Sequence, residues 1–303
     1  MNNDNKIKIL IAGWFSFEDM GATAGDLLSC EVVSEWLSDA GFEFEVAFAP
    51  PFKGGVMWSK MDPKKYTHVI FVCGPFGNGW PVNEFLKHFS TARLIGLNLS
   101  MLDPIEQWNP FDLLYERDSD HRNLPDLTLL SHTQKVPVVG IILSHRQKEY
   151  GNRAKHSDIN KLINQAVKLK EISVVKIDTS LVNNQYGLRT AGEVESLIAK
   201  MDLIITTRLH GMVLALKNEI PAIAIDPIDG GAKISKQAKV LDWPLLYTTD
   251  SVTLDNLIEA IDHAMTDYAK IKARECRKKG QKILMKLHKH FIRELNSLKK
   301  QIT

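Results

Sequence analysis

An arginine and a histidine two positions apart, Arg208 and His210, stand in the run Thr206-Thr-Arg-Leu-His-Gly211. Arginine presents a planar fork that matches phosphate or carboxylate. Histidine exchanges a proton near neutral pH. Gly211 leaves room for close approach at a helix start. At the end of a strand, alternation places both side chains on the same side. The pair therefore suits binding of a small anion coupled to proton transfer. The plainer reading is that Arg208 pairs with an acid and His210 caps the turn.

The flanking residues show what must position this pair. Leu203–Ile205 is short, β-branched and closed by two threonines, the pattern of a buried parallel strand. Gly211–Lys217 is a helix former, and Ile220–Asp226 is a second β-branched run. Strand, helix and strand make a compact βαβ unit. In open α/β sheets ligands bind beyond the carboxyl ends of the strands, beside helix N-termini. Arg208 and His210 occupy that place.

The same alternation runs along the chain. Strands are expected at Ile7–Ala12, Phe44–Ala49, Thr67–Cys73 and Arg93–Asn98. Helices are expected at Asp26–Ala40, burying Leu28, Val32, Trp36 and Leu37 and stopping at Gly41, and at Asn83–Phe89. From Leu99 to Lys135 prolines and asparagines interrupt every pattern, and Tyr115–Ser119 stands out only as polar. A boundary falls near Gln134–Pro137. A second alternation follows: strand Val138–Leu143, a helix capped by Ser157 and running to Leu169, strand Val174–Ile177, and a helix from the Thr190 capping box to Lys200. After the Arg208 unit come a glycine loop leading into a helix at Ile234, a strand at Trp243–Tyr247 and a helix at Leu254–Met265. The expected fold is α/β, with a Rossmann-like domain over 1–135, another over 136–266, and a long basic helix over 267–303.

Composition fits that plan. The 303 residues are 44% hydrophobic and 24% charged, ordinary for a soluble protein of two domains. No apolar run reaches membrane length, and the N-terminus Met1–Asn5 lacks the basic-then-apolar pattern of a secretion signal. Three widely spaced cysteines, Cys30, Cys73 and Cys276, read as free thiols in a reducing cytoplasm. No metal-ligand spacing is visible and no nucleic-acid partner is expected. The net charge of +2 conceals an asymmetry: Lys270–Lys300 carries twelve basic residues and two acids, an excess of ten, so the remainder is about −8 by subtraction. Three roles fit the tail: a helix packed on the body, a coil joining two copies, or a helix on an anionic inner-membrane face.

Other residues invite chemistry more weakly. Gly21–Asp26 and Gly74–Gly79 could offer backbone N–H groups to a ligand, or could be tight turns; neither has P-loop or dinucleotide spacing. Lys233, in a glycine-rich loop, could hold an anion or be solvated. Arg117-Asp-Ser119 could be a self-paired loop. Arg146, just past a strand end, could point toward a ligand. The ten histidines form no HExxH motif.

From about Val194 to Pro244 the chain resembles the C-terminal signature of the polysaccharide pyruvyl transferase family. The matching residues are Ile198-Ala-Lys-Met-Asp-Leu-Ile-Ile-Thr-Thr-Arg-Leu-His-Gly211, then Ala215, Pro221-Ala-Ile-Ala-Ile225, Lys233-Ile234 and Leu241-Asp-Trp-Pro244. Gly25-Asp26 is similar to the family's N-terminal Gly-Asp, and Arg117-Asp-Ser119 to its mid-chain Arg-Asp followed by serine. Where the family has an asparagine-rich approach to Gly-Asp, this chain has Gly21-Ala-Thr-Ala24; where it has a triple-glycine turn, this chain has Cys73–Gly79. Both departures face the acceptor side.

The resemblance implies a GT-B-like fold, two Rossmann-like domains with parallel sheets facing a cleft. It implies transfer of pyruvate from phosphoenolpyruvate to two hydroxyls of a sugar or lipid-linked saccharide, with no cofactor or metal. Arg208 would take the phosphate or carboxylate and His210 would move the proton. Asp26 would orient or deprotonate an acceptor hydroxyl, with Gly25, Arg117, Gly211 and Lys233 as further binding positions. A glycosyltransferase with a nucleotide-sugar donor is the first alternative, with Arg208 on the diphosphate. A non-enzymatic member, either a sugar- or anion-binding protein or a scaffold joined through the basic tail, is the second.

Overall fold

The computed structural model describes residues 7–144 and 148–302. The chain divides into two compact units, Met1–Gln134 and Lys135–Thr303. Each is an α/β unit around one all-parallel sheet, the architecture expected from the sequence.

The first unit runs β1 (Lys8–Ala12), α1 (Ala24–Asp39), β2 (Glu43–Val46), β3 (His68–Val72), β4 (Pro75–Phe76), α2 (Val82–His88), β5 (Arg93–Met101) and β6 (Leu113–Asp118). The strand order is β2-β1-β3-β5, with β4 and β6 both paired to β5. One face packs the aromatics Phe71, Phe76, Phe85 and Phe89; the other packs Ile9, Ile11 and Ile70 against Cys30 and Val33 of α1. With both faces covered, β1 and β3 are apolar at successive positions rather than alternating.

Three expectations are corrected here. Helix α1 begins at Ala24, not Asp26, because Thr23 and Asp26 close a capping box: the Asp26 N–H donates to Thr23 Oγ1 at 3.4 Å and the Thr23 N–H to Asp26 Oδ2 at 2.8 Å. Gly25 and Asp26 are thus first-turn helix residues. The buried stripe of α1 is Ser29, Cys30, Val32 and Val33, and Trp36 is 44% exposed. Tyr115–Asp118, read only as polar, belongs to β6; a polar strand with a single partner shows no apolar run.

The second unit runs β7 (Val138–Ile142), α3 (His156–Lys168), β8 (Ser173–Lys176), α4 (Ala191–Ile198), β9 (Leu203–Thr206), α5 (Leu209–Lys217), β10 (Ala222–Asp226), α6 (Lys233–Leu241), β11 (Leu246–Thr248), α7 (Leu254–Ala264) and α8 (Asp267–Ile302). Its order is β11-β10-β9-β7-β8. The winding reverses between β7 and β9, which makes the carboxyl ends of those two strands the place where such a sheet receives a ligand. Ser157 does not cap α3: it is the second helical residue, after an N-cap at Lys155. Trp243 precedes β11 and is buried, its indole N–H donating to Ala222 O at 2.6 Å.

Helix α8 is continuous through Gly280, as the long helix expected over 267–303 requires. A Cβ at 280 would lie 3.0 Å from Leu241 Cδ2, so the glycine allows α8 to approach α6. Before it, Ala269, Ala273 and Cys276 are buried, and Arg274 and Arg277 both reach Glu219. After it, residues 281–299 are all exposed.

Candidate active site

The site in the second unit is built at the reversal of strand order. Strand β9 stops at Thr206, so strand alternation does not govern Arg208 and His210. Arg208 is the extended N-cap of α5 (φ −116°, ψ 137°), and His210 is the second residue of that helix. Thr206 fixes the turn: its hydroxyl accepts the Arg208 N–H at 2.9 Å and donates to Ile142 O at 2.9 Å, joining the end of β9 to β7. Beside it, the Ser144 N–H donates to Thr207 Oγ1 at 2.8 Å and Ser144 Oγ donates to Thr207 O at 3.0 Å.

Arg208 does pair with an acid. Its Nη1 lies 3.2 Å from Asp178 Oδ1 and donates to Thr179 Oγ1 at 3.0 Å. Asp178 is nearly buried and also accepts the Ser180 N–H. The contact uses one guanidinium nitrogen. Nε and Nη2 have no partner among the described residues, so the anchor orients the fork and leaves two donors for a ligand. The first turn of α5 has no side-chain cap, so its leading N–H groups add to the attraction for an anion.

Gly211 has a steric cause: a Cβ there would lie 2.2 Å from Thr206 Oγ1 and 3.1 Å from Ile142 Cγ2. Without it the helix could not start so close to β9. His210 is exposed and makes no hydrogen bond among the described residues; it does not cap the turn. Lys233 opens α6 at the end of the neighbouring strand β10, exposed and with no ion pair among the described residues. Its loop is held by Asp226, whose buried carboxylate accepts the Ala232 and Ser235 N–H groups and the Ser235 hydroxyl. A cavity of about 180 Å³ adjoins the Arg208 anchor, lined by Ser144, Asp178, Asn160, Asn164, Lys176 and Tyr186 among others. Asn160 Oδ1 beside it has no partner among the described residues. Arg146 lies outside the described residues.

The carboxyl edge of the first sheet gathers Gly25, Asp26 and Arg117. Cys73 (φ 58°) and Gly74 (φ 77°) kink the chain between β3 and β4, and Asn98 (φ 59°) bulges β5 at the same level. Asn98 accepts the Leu127 N–H and donates to Pro125 O, which places Asp126 between them. Arg117 donates from Nη1 to Asp126 Oδ2 at 2.5 Å, from Nε to Asp118 Oδ2 at 3.0 Å and from Nη2 to Ser100 Oγ at 2.6 Å. All three of its nitrogens are engaged, the self-paired arrangement. Burial alone would raise the Asp126 carboxyl, but the Thr128 N–H and hydroxyl and the Arg117 guanidinium outweigh it and hold it below the usual range. The Ser100 hydroxyl, then Arg117, lower Asp118.

Asp26 spends Oδ2 on its cap, and Oδ1 has no hydrogen bond among the described residues; a Cβ on Gly74 would lie 3.6 Å from it. At Gly25 an added Cβ would meet Thr23 Oγ1 at 3.5 Å, an ordinary contact, so packing does not require that glycine. Burial pushes the Cys73 thiol up to about 11, which keeps it protonated at neutral pH and no nucleophile.

Reading by residue type named Arg208, His210, Asp26 and Lys233 as candidates but passed over Ser144, Asp178, Thr179 and the places of Thr206 and Thr207. One signal was available for Ser144, Thr206 and Thr207: each is a polar residue at or just past the end of a buried parallel strand.

No helix among the described residues is long and apolar enough to cross a membrane. Among solved structures the chain is similar to the spinosyn rhamnosyltransferase SpnG, at 9% identity over 90% of this chain and 96% of that one, with a TM-score of 0.35. It is similar to UDP-GlcNAc 2-epimerase from Methanocaldococcus jannaschii, at 10% over 93% and 99%, TM-score 0.33. It is also similar to the E. coli ADP-heptose LPS heptosyltransferase II, at 14% over 86% and 98%, TM-score 0.29. No curated protein matches the chain. The family model of polysaccharide pyruvyl transferase matches residues 24–229, a span that opens at the first residue of α1 and takes in Gly25, Asp26, Arg117, Arg208 and His210. The chain belongs to the polysaccharide pyruvyl transferase family.

Proposed function

We propose that this protein transfers the pyruvyl group of phosphoenolpyruvate to two hydroxyls of one saccharide, forming a cyclic ketal and releasing phosphate. The observation that carries the reading is Arg208: a guanidinium oriented through one nitrogen, with two nitrogens unpartnered among the described residues, at the strand-order reversal and beside an uncapped helix start. Phosphoenolpyruvate carries a phosphate and a carboxylate on three carbons, and such a ligand needs convergent cationic donors.

The roles follow from the chemistry. C3 of the enol takes a proton, C2 becomes electrophilic, and one acceptor hydroxyl adds there as its proton departs. Phosphate leaves, and the second hydroxyl closes the ring. Arg208 and the leading amides of α5 hold the anion and stabilise charge on the departing phosphate. His210, unencumbered at the same turn, exchanges the proton. Lys233 supplies a second cation from the next strand end. Asp26 Oδ1 orients an acceptor hydroxyl. The scheme calls on no cofactor and no metal.

Thermal unfolding with and without phosphoenolpyruvate tests the donor. Ligand at about 100 times its Kd adds about 2.7 kcal/mol to the native state. The parent should shift, and Arg208→Ala should lose the shift. No shift in the parent at millimolar phosphoenolpyruvate, with a shift from a nucleoside diphosphate, would instead favour a nucleotide-sugar donor. His210→Gln should keep the shift and lose about 10²–10⁴-fold in phosphate release with acceptor present; release at the parent rate would remove His210 from the chemistry.

A further inference from the structure

A second cavity lies wholly within the first unit, about 350 Å³ in volume, and no residue of the proposed donor site lines it. Its walls come from the loop after β1, the segment after β2 and the start of α2. The floor is aromatic and fixed. Trp58 donates its indole N–H to Ser16 O at 3.0 Å and packs edge-on against Phe85 at 5.3 Å and Phe17 at 6.0 Å. The rim carries Trp80, whose side chain is 71% exposed. Two carboxylates, Glu18 and Glu84, also line it; both are exposed and have no ion pair or hydrogen bond among the described residues.

This lining selects by charge. No lysine or arginine among the described residues lines the cavity, so phosphoenolpyruvate and nucleotides, all anions, are repelled. A pyranose matches it on both counts: its C–H face lies against an indole, and its hydroxyls donate to carboxylate oxygens. The volume lies near the lower end of the roughly 300–1,000 Å³ usual for small-ligand pockets, and suits a sugar ring with its substituents. The position connects the cavity to the reaction. Glu18 and Met20 stand on the loop that leads directly into Gly25 and Asp26 at the start of α1.

We infer that this cavity is the acceptor-saccharide site, with Trp80 as the stacking platform and Glu18 and Glu84 as hydroxyl acceptors. The inference rests on the pyruvyl-transfer reading for its choice of a saccharide. It makes Trp80 a specificity residue for the acceptor that has no part in holding the donor.

Saturation-transfer NMR on the full chain tests it. The probes are methyl galactoside, methyl glucoside, methyl mannoside and their N-acetylamino counterparts, each at millimolar concentration, with choline as the cationic control. At least one glycoside should receive magnetisation. Trp80→Ala should weaken its binding by about tenfold or more, Trp80→Phe should restore much of it, and Glu84→Gln should weaken it less. Both positions are exposed, so the unfolding temperature should stay at the parent value, and so should the phosphoenolpyruvate shift. Transfer to none of the glycosides, transfer undiminished in Trp80→Ala, or binding of choline alone would overturn the assignment. Loss of the phosphoenolpyruvate shift from every protein while glycoside transfer persists would end the donor reading and leave this site standing.

Discussion

Two glycines separate what packing demands from what a substrate demands. At Gly211 an added methyl would lie 2.2 Å from the Thr206 hydroxyl, which is itself bonded to the backbone of both β7 and the Arg208 turn. Gly211→Ala should therefore destabilise by about 1–3 kcal/mol, read as a lower unfolding temperature. At Gly25 the same methyl meets nothing closer than 3.5 Å, inside a helix where alanine is the better former. Gly25→Ala should leave stability equal or raise it by up to about 1 kcal/mol. If pyruvyl transfer falls all the same, the glycine is kept for close approach of the acceptor; transfer at the parent rate would remove that role. The sequence marked both glycines but could not rank them, because the ranking depends on which side chain the fold brings against each. Asp178 was illegible for a related reason. An acid following a strand has no periodic signature, and only β8 lying beside β7 brings it to Arg208.

Elements with two covered faces were the most legible. β1, β3, β9 and β10 announce themselves as apolar runs, and the βαβ order follows from them. Strand β6 did not, since it pairs on one side only and its polar residues serve a local network. That network gives β6 a pH dependence. Asp118 and Asp126 both have lowered pKa values in the folded chain. A depressed carboxylate contributes stability that is complete above its unfolded value, near pH 4, and that disappears as pH falls through the folded value. Acid should thus loosen the grip of Arg117 on Asp126 and Asp118, and the first unit should lose stability below about pH 4. Asp126→Asn should lower stability at neutral pH and flatten the acid limb of the unfolding profile. A limb as steep as the parent's would show that other carboxylates set it.

Across the whole molecule, two parallel sheets were readable from a repeating alternation and a proline-rich interruption. The fate of the tail was not. Its basic residues are spread along its length, yet the fold uses the two halves differently: small residues up to Gly280 let α8 sit close to its neighbours, and the large ones from Ile283 to Leu298 are all at least 42% exposed. Truncation after Gly280 should leave the unfolding temperature near the parent value, since no side chain among residues 281–299 is buried. Truncation before Ala269, which removes Ala269, Ala273 and Cys276 from the core, should lower it by several degrees or more. If the shorter deletion is as damaging as the longer, the exposed half is supported by something outside this chain.

A single helix with one anchored half does not have a single stability. Amides of α8 ahead of Gly280 are tied to the second unit and should exchange with solvent deuterium only when that unit opens. Those beyond it belong to a helical stretch of about twenty residues in which no side chain over 281–299 is buried, so that opening there is cheap. Protection factors along α8 should therefore fall from the global value to nearly none within a turn or two of residue 280. The helix then serves as a gauge: any condition that extends slow exchange past that glycine reports, residue by residue, how far a new contact has reached along the exposed half.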